Sequence, residues 1–231
     1  MLQQPTPGLM ETTDGHIIVG LPTEGMAGRE RFIMRGLGIS PMEDQSNPDP
    51  GYQYSTSQAA RHFSNLLAAA ESAYPQVNTF RLELSATQYD RLSDSGRQQY
   101  IATAVGYCQE IVDRGRYPLL YCGDSQVHGK LLSFYEKAYP LYGALHRALA
   151  ALPEVQVRVL YEPFGKPYGI SPGEWVRSMT ELISFFREVL HYTNALFIDL
   201  RDRGRAFEEP QVTDLEKHDQ DVLDSLAVFK D

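Results

Sequence analysis

Apolar residues along this chain fall into short β-branched or aromatic runs separated by long stretches of helical period, and strand-like runs seldom follow one another directly. That alternation predicts a parallel sheet assembled from βα units. Strands are expected at 78–84, 117–122, 155–165 and 195–200, after a first strand that ends Gly36-Leu-Gly-Ile-Ser40-Pro41. Helices are expected at about 56–73, 95–114, 128–151, 171–192 and 212–229. Within 78–84, Phe80, Leu82 and Leu84 share one face while Thr79, Arg81 and Glu83 share the other, so one face meets helices and the other points into a barrel. The fourth helix opens Ser171-Pro-Gly-Glu174, which supplies an N-cap, a proline at the first helical position and a capping-box glutamate. Its Trp175, Met179, Leu182, Ile183, Phe186 and Leu190 recur at helical spacing and are expected in the core. Pro140 removes a backbone donor from the third helix and predicts a bend there.

The beginning of the chain has a different pattern. Residues 15–19 and 31–35 flank a Gly-rich connection and are expected to form a β-hairpin that leads into the first strand, with 1–13 as a flexible arm. The segment 41–54 is rich in Pro, Asp, Asn and Gly and is longer than an ordinary connector. The expectation is one α/β domain over 1–231, a (β/α)8 TIM-barrel type that is partial, with about five βα units and an N-terminal β-hairpin.

Composition narrows what such a domain does. With 42% hydrophobic and 22% charged residues, the chain has ample material for a core. Its net charge of −9 comes without any basic stripe, which argues against nucleic acid as a partner. No apolar stretch approaches the roughly 20 residues of a membrane span, so no membrane partner is expected. The start, Met-Leu-Gln-Gln-Pro-Thr-Pro-Gly, has neither a basic nor an apolar leader region, so no signal peptide is expected in the chain as given; a secreted, processed precursor stays open. Cys108 and Cys122 lack CxxC or Cys/His spacing and are expected as buried free thiols. No three or four metal ligands fall at useful spacing, and no Gly-rich phosphate loop carries a lysine, so neither metal nor cofactor is expected.

The run 155–165 ends Tyr161-Glu162-Pro163-Phe164-Gly165, placing a carboxylate at a βα junction, where barrels carry their chemistry. Of fourteen tyrosines, Tyr52, Tyr54, Tyr89, Tyr121, Tyr161 and Tyr168 lie at or near expected strand ends or loops, where aromatic faces suit stacking on sugar rings.

The order of these pieces resembles the cellulase-type glycoside hydrolases of family 5. Arg35-Gly36-Leu37 is similar to that family's Arg-Gly-Val/Leu-Asn, Asn78-Thr-Phe-Arg81 to its second-strand Asn-Thr-Val/Phe-Arg, and Tyr161-Glu162-Pro163-Phe164-Gly165 to its Asn-Glu-Pro-His-Gly. Thr193-Asn194-Ala-Leu-Phe-Ile is similar to its fifth strand, and the likeness covers about 14–200. The resemblance implies a retaining mechanism on a β-linked polysaccharide, in which one carboxylic acid protonates the leaving oxygen and a second carboxylate, about 5 Å away, attacks the sugar. It assigns Glu162 as acid/base and Arg81 as electrostatic support.

The chain also departs from the family pattern. Residue 161 is Tyr where the family has Asn, and strand three ends Cys122-Gly123-Asp124 where relatives show histidines, with His128 the nearest substitute. No seventh strand supplies the family's nucleophile. Three readings follow: the chain is a piece of a longer product, a protein partner or second copy covers an open barrel edge, or Glu83, Asp124 or Asp199 is recruited beside Glu162. Tyr161, Asp124, His128, Tyr121 and Asp199 are the candidate carbohydrate-binding residues. The alternative function is a non-catalytic carbohydrate-binding or structural subunit on a remnant barrel, a pseudoenzyme with Glu162 paired to Arg81 or Arg158.

Overall fold

A computed structural model describes residues 9–13, 16–20, 30–31, 34–39, 57–122, 131–165, 177, 180–194 and 196–199. Strands β1 (Leu9–Thr13), β2 (His16–Gly20) and β3 (Glu30–Arg31) form an antiparallel sheet in that order. The expected hairpin is therefore the pair β2–β3, in which Ile18 faces Arg31. The expected flexible arm is corrected over 9–13, where β1 pairs with β2 from Leu9 opposite Gly20 to Thr13 opposite His16.

The second sheet is parallel and runs in chain order, β4 (Gly36–Ile39), β5 (Thr79–Leu84), β6 (Tyr117–Cys122), β7 (Leu160–Gly165) and β8 (Leu196–Asp199). Helices α1 (Ser57–Ala73), α3 (Asp94–Asp113) and α4 (Leu131–Leu149) alternate with these strands, giving a partial TIM-barrel-like α/β fold. Among the described residues β4 and β8 pair on one side only. Two shorter helices, α2 (Ala86–Arg91) and α5 (Pro153–Gln156), precede α3 and β7. No helix among the described residues is long and apolar enough to cross a membrane.

Strand alternation divides the parallel sheet into two chemistries. On the outer face Phe80, Leu82, Leu84, Leu120, Cys122 and Tyr161 are buried against apolar residues of the helices, such as Phe63 and Leu67 of α1 and Tyr107 and Ile111 of α3. On the inner face a smaller cluster of Tyr117, Leu119 and Leu160 packs with Met34 and Phe197. Outside the sheet, Arg114 joins Glu71 of α1 and Glu110 of α3 at 3.0 and 2.9 Å, tying the two helices together.

Three elements differ from the sequence pattern, each for a local reason. Helix α2 went unanticipated, although Ser85 caps it by accepting from the Gln88 N–H at 3.0 Å, and Ser-x-x-Gln is the capping-box spacing. The β-branched run 155–159 is not strand. Pro153 starts the single turn α5, and the carbonyls of Val157 and Val159 accept from the Asn194 amide and the Tyr192 hydroxyl rather than from a strand. The fourth helix ends in a π-helical turn, Phe185–Val189, after which Arg187 donates to the carbonyls of Tyr192 and Asn194 and folds the chain back. Helix α4 continues through Pro140. The segment 41–54, Trp175, Met179 and the expected helix 212–229 lie outside the described residues.

Behind β7 the rings of Tyr142, Tyr161, Phe186 and Tyr192 form one cluster, with Tyr161–Tyr192 and Tyr161–Phe186 centroids both 4.9 Å apart. Burial pushes the phenol pKa values of Tyr142, Tyr161 and Tyr192 up. His146 borders the cluster, its Nδ1 3.5 Å from the Tyr161 hydroxyl and its Nε2 3.3 Å from Gln156 Nε2.

Two outcomes follow from this packing. Phe80→Ala removes a ring with no exposed surface and should lower unfolding free energy by about 3–5 kcal/mol, read from urea denaturation. Burial lowers the His146 pKa below its ordinary value of 6.5, so the unfolded chain binds the proton more tightly. Its contribution to stability is present above that value and is lost as pH falls towards the lower, folded one. The urea midpoint of the wild type should drop between about pH 7.5 and about pH 5 by more than that of His146→Gln; equal drops would refute the assignment.

Candidate functional site

The site follows from strand register. Parallel pairing places Arg81, Leu119 and Leu160 in one row across β5, β6 and β7, and Glu83, Tyr121 and Glu162 in the next row towards the strand C-termini. Inner-face residues alternate with outer ones, so both rows face inward. The lower row has leucines beside Arg81, and the upper row carries two carboxylates flanking a tyrosine.

Arg81 reaches from the lower row into the upper one. Its Nε donates to Glu162 Oε2 at 2.9 Å and its Nη2 donates to Glu162 Oε1 at 3.1 Å, a two-bond fork. The guanidinium carbon lies 3.5 Å from the centroid of the Tyr121 ring, so the fork is stacked on an aromatic face while it holds the carboxylate. Glu162 is only 6% exposed, and Arg81 is partly exposed. A carboxylate that accepts a hydrogen bond on each oxygen from a guanidinium is in the geometry of its ionised form.

A break in the strand ladder sits at this carboxylate. β7 pairs with β8 at Tyr161 opposite Leu196 and again at Phe164 opposite Ile198, so three steps on β7 match two on β8. The extra residue falls at Glu162-Pro163, where proline has no N–H to give to the ladder. Bulges of this kind re-aim a side chain and recur beside active sites. A proline inside the expected strand was the sequence signal for it.

The expected site residues separate clearly. Glu162, Arg81 and Tyr121 are brought together. Tyr161 is corrected as a substrate contact, because it is 1% exposed with its ring inside the aromatic cluster behind the sheet. Period-two alternation requires this once Glu162 faces inward. Asp124 and His128 lie outside the described residues. Asp199 closes β8 with its backbone opposite Gly165, and its side chain lies outside the described part. Arg158, the other expected partner of Glu162, has its guanidinium 5.9 Å from the Tyr117 ring instead. Glu83, held only as one of several recruited carboxylates, occupies the same row as Glu162.

Among the described residues no group of three or more His, Cys, Asp or Glu is placed to hold a metal ion. Cys108 and Cys122 are free and buried, and burial pushes the Cys108 thiol up to about 12, which leaves it a poor nucleophile. A cleft of about 400 Å³ lined by residues including Arg35, Leu37, Tyr74 and Val77 lies at the N-terminal ends of β4 and β5, the end opposite Glu162.

Replacing Tyr121 with Leu removes the ring beneath Arg81 and should cost about 1–2 kcal/mol of stability in a urea titration. A cost indistinguishable from zero would mean that the stacking adds nothing.

No protein-family model matches the chain, and no curated protein matches it. Solved structures do. One, described as a glycoside hydrolase, is 12% identical at a TM-score of 0.48, with 72% of this chain and 52% of that one covered. Another, a thermostable and highly halotolerant GH5 cellulase from an Icelandic hot spring isolate, is 15% identical at a TM-score of 0.52, covering 91% of this chain and 60% of that one. The chain therefore spans between about half and three-fifths of these neighbours' length. At this identity the likeness to the cellulase is one of fold alone: this chain has a partial TIM-barrel-like α/β fold.

Proposed function

We propose that this chain acts on a β-linked polysaccharide as a glycoside-hydrolase-type protein, with Glu162 as its proton-handling carboxylate and Arg81 as the group that sets its charge. The observation that carries this reading is the forked Arg81–Glu162 pair, presented on the inner face at a bulge near the strand C-termini. The motif resemblance around Arg81 and Glu162 and the barrel-type fold support it independently.

The chemistry asks for two carboxyl groups, one giving a proton to the departing oxygen and one acting on the sugar's anomeric carbon directly or through water. At rest both Glu162 oxygens are engaged, so a proton arriving on either displaces one of the Arg81 bonds. The Tyr121 ring, 3.5 Å from the guanidinium carbon, gives Arg81 a contact that does not depend on the Glu162 proton. The retaining route implied by the resemblance needs a nucleophile about 5 Å from Glu162.

The double engagement of Glu162 favours a second reading, in which the inner face binds carbohydrate without turning it over. Arg81 and Tyr121 would then serve as a flat polar platform for a sugar ring, and the ion pair as its structural anchor.

Purified chain and Glu162→Gln should be compared for reducing-end release from β-glucans, mannans and xylans, with sugar binding followed by calorimetry. The first reading expects turnover by the wild type and a loss of about 10²–10⁴-fold in the variant. Binding without turnover selects the second reading. Folded protein that neither binds nor cleaves any of these polymers rejects both.

A further inference from the structure

We propose that Tyr121 is a positioning residue whose ring holds the Arg81 guanidinium in its fork on Glu162. The proposal rests on the glycoside-hydrolase reading above, in which the placement of Glu162 decides the chemistry. Its basis is the path that the Arg81 side chain has to take. Arg81 lies on β5 in the lower inner row and Glu162 on β7 in the upper one, with β6 between them. Two strand spacings separate the backbones by about 9.6 Å. The guanidinium therefore crosses over β6 and climbs one step to meet the carboxylate.

Strand β6 offers two inward residues along that path. Leu119, in the row of Arg81, is buried in the inner apolar cluster, and Tyr121, in the row of Glu162, is half-buried. The Arg81 guanidinium carbon is 3.5 Å from the Tyr121 ring centroid, and a carbon that near the centroid can only lie over the face of the ring. Arg97, Arg158 and Arg187 also lie over tyrosine rings, at 5.5, 5.9 and 5.6 Å. Of these four contacts only the one at Tyr121 is at stacking distance.

The fork needs such a support. Arginine is long and flexible, and Arg81 keeps 18% of its side chain exposed, so rotamer freedom and water both compete with its bonds to Glu162. The ring covers one face of the guanidinium and leaves its N–H edge free, and that edge makes the bonds of 2.9 and 3.1 Å. Stacking and fork thus use different parts of one group and reinforce each other. When a proton on Glu162 takes the place of one of these bonds, the ring contact opposes departure of the guanidinium, and the fork re-forms once the proton leaves. The ring face turned to Arg81 is closed to a sugar, so Tyr121 acts on substrate through Arg81 and Glu162.

The test is solvent exchange of the Arg81 Nε–H, followed by heteronuclear NMR of the labelled chain in the wild type, Tyr121→Phe, Tyr121→Leu and Tyr121→Met, with Arg81→Met assigning the signal. The inference expects protection in the wild type and in Tyr121→Phe, and exchange at least about tenfold faster in whichever ringless variant folds. A merely structural ring would lower the urea midpoint of the ringless variants and leave Arg81 protected, and that result overturns the inference. A wild-type Nε–H that exchanges as fast as those of exposed arginines overturns it without any variant. On the polysaccharides above, Tyr121→Leu should have a kcat about tenfold below that of Tyr121→Phe at a similar KM; a change in KM alone would make the ring a substrate contact and overturn the positioning role. If folded wild type turns over no substrate, the glycosidase reading falls and the exchange rates alone decide this inference.

Discussion

Arg81 and Glu162 sit on strands that are not neighbours, and their fork closes over the strand between them. For the two hydrogen bonds of 2.9 and 3.1 Å to form, β5, β6 and β7 must hold their register to within a residue, because a one-residue slip would turn either side chain to the helical face. Burying a carboxylate at 6% exposure is costly unless it is paired, and the planar guanidinium answers both oxygens at once. The pair thus reports on the alignment of the whole wall.

The outer face makes that alignment possible. Tyr161 locks β7 from behind through ring contacts with Phe186 and Tyr192, and this orientation leaves Glu162 nowhere to point but inward. The Tyr192 hydroxyl and the Asn194 amide hold the carbonyls of Val159 and Val157, so the entry to β7 is tied to the segment before β8. Pro163 then breaks the ladder to β8 one step beyond Glu162. Core packing, a proline and two side-chain caps place one carboxylate.

Much of this was legible in the residues. The alternation of Phe80, Leu82 and Leu84 with Arg81 and Glu83 separated core from bowl, and the pairing of Glu162 with Arg81 stood among the expectations. Other features needed tertiary information. The run Val155 to Val159 has strand chemistry, but its carbonyls bond to side chains from the segment before β8, which no local pattern announces. Tyr161 looked like a sugar-stacking aromatic because it lies near an expected strand end, whereas strand alternation turns it to the face opposite that of Glu162. The shared row of Glu83 and Glu162 depends on a register across two strand pairs that the sequence spaces nearly eighty residues apart.

A double-mutant cycle on the unfolding free energy, with Arg81→Met, Glu162→Gln and the double variant, tests the central contact most directly. A desolvated, forked pair should give a coupling energy above about 1.5 kcal/mol, with the single Arg81 variant alone costing about 3–5 kcal/mol because it strands a buried charge. Additive single effects, with a coupling below about 0.5 kcal/mol, would contradict the view that this pair aligns the wall.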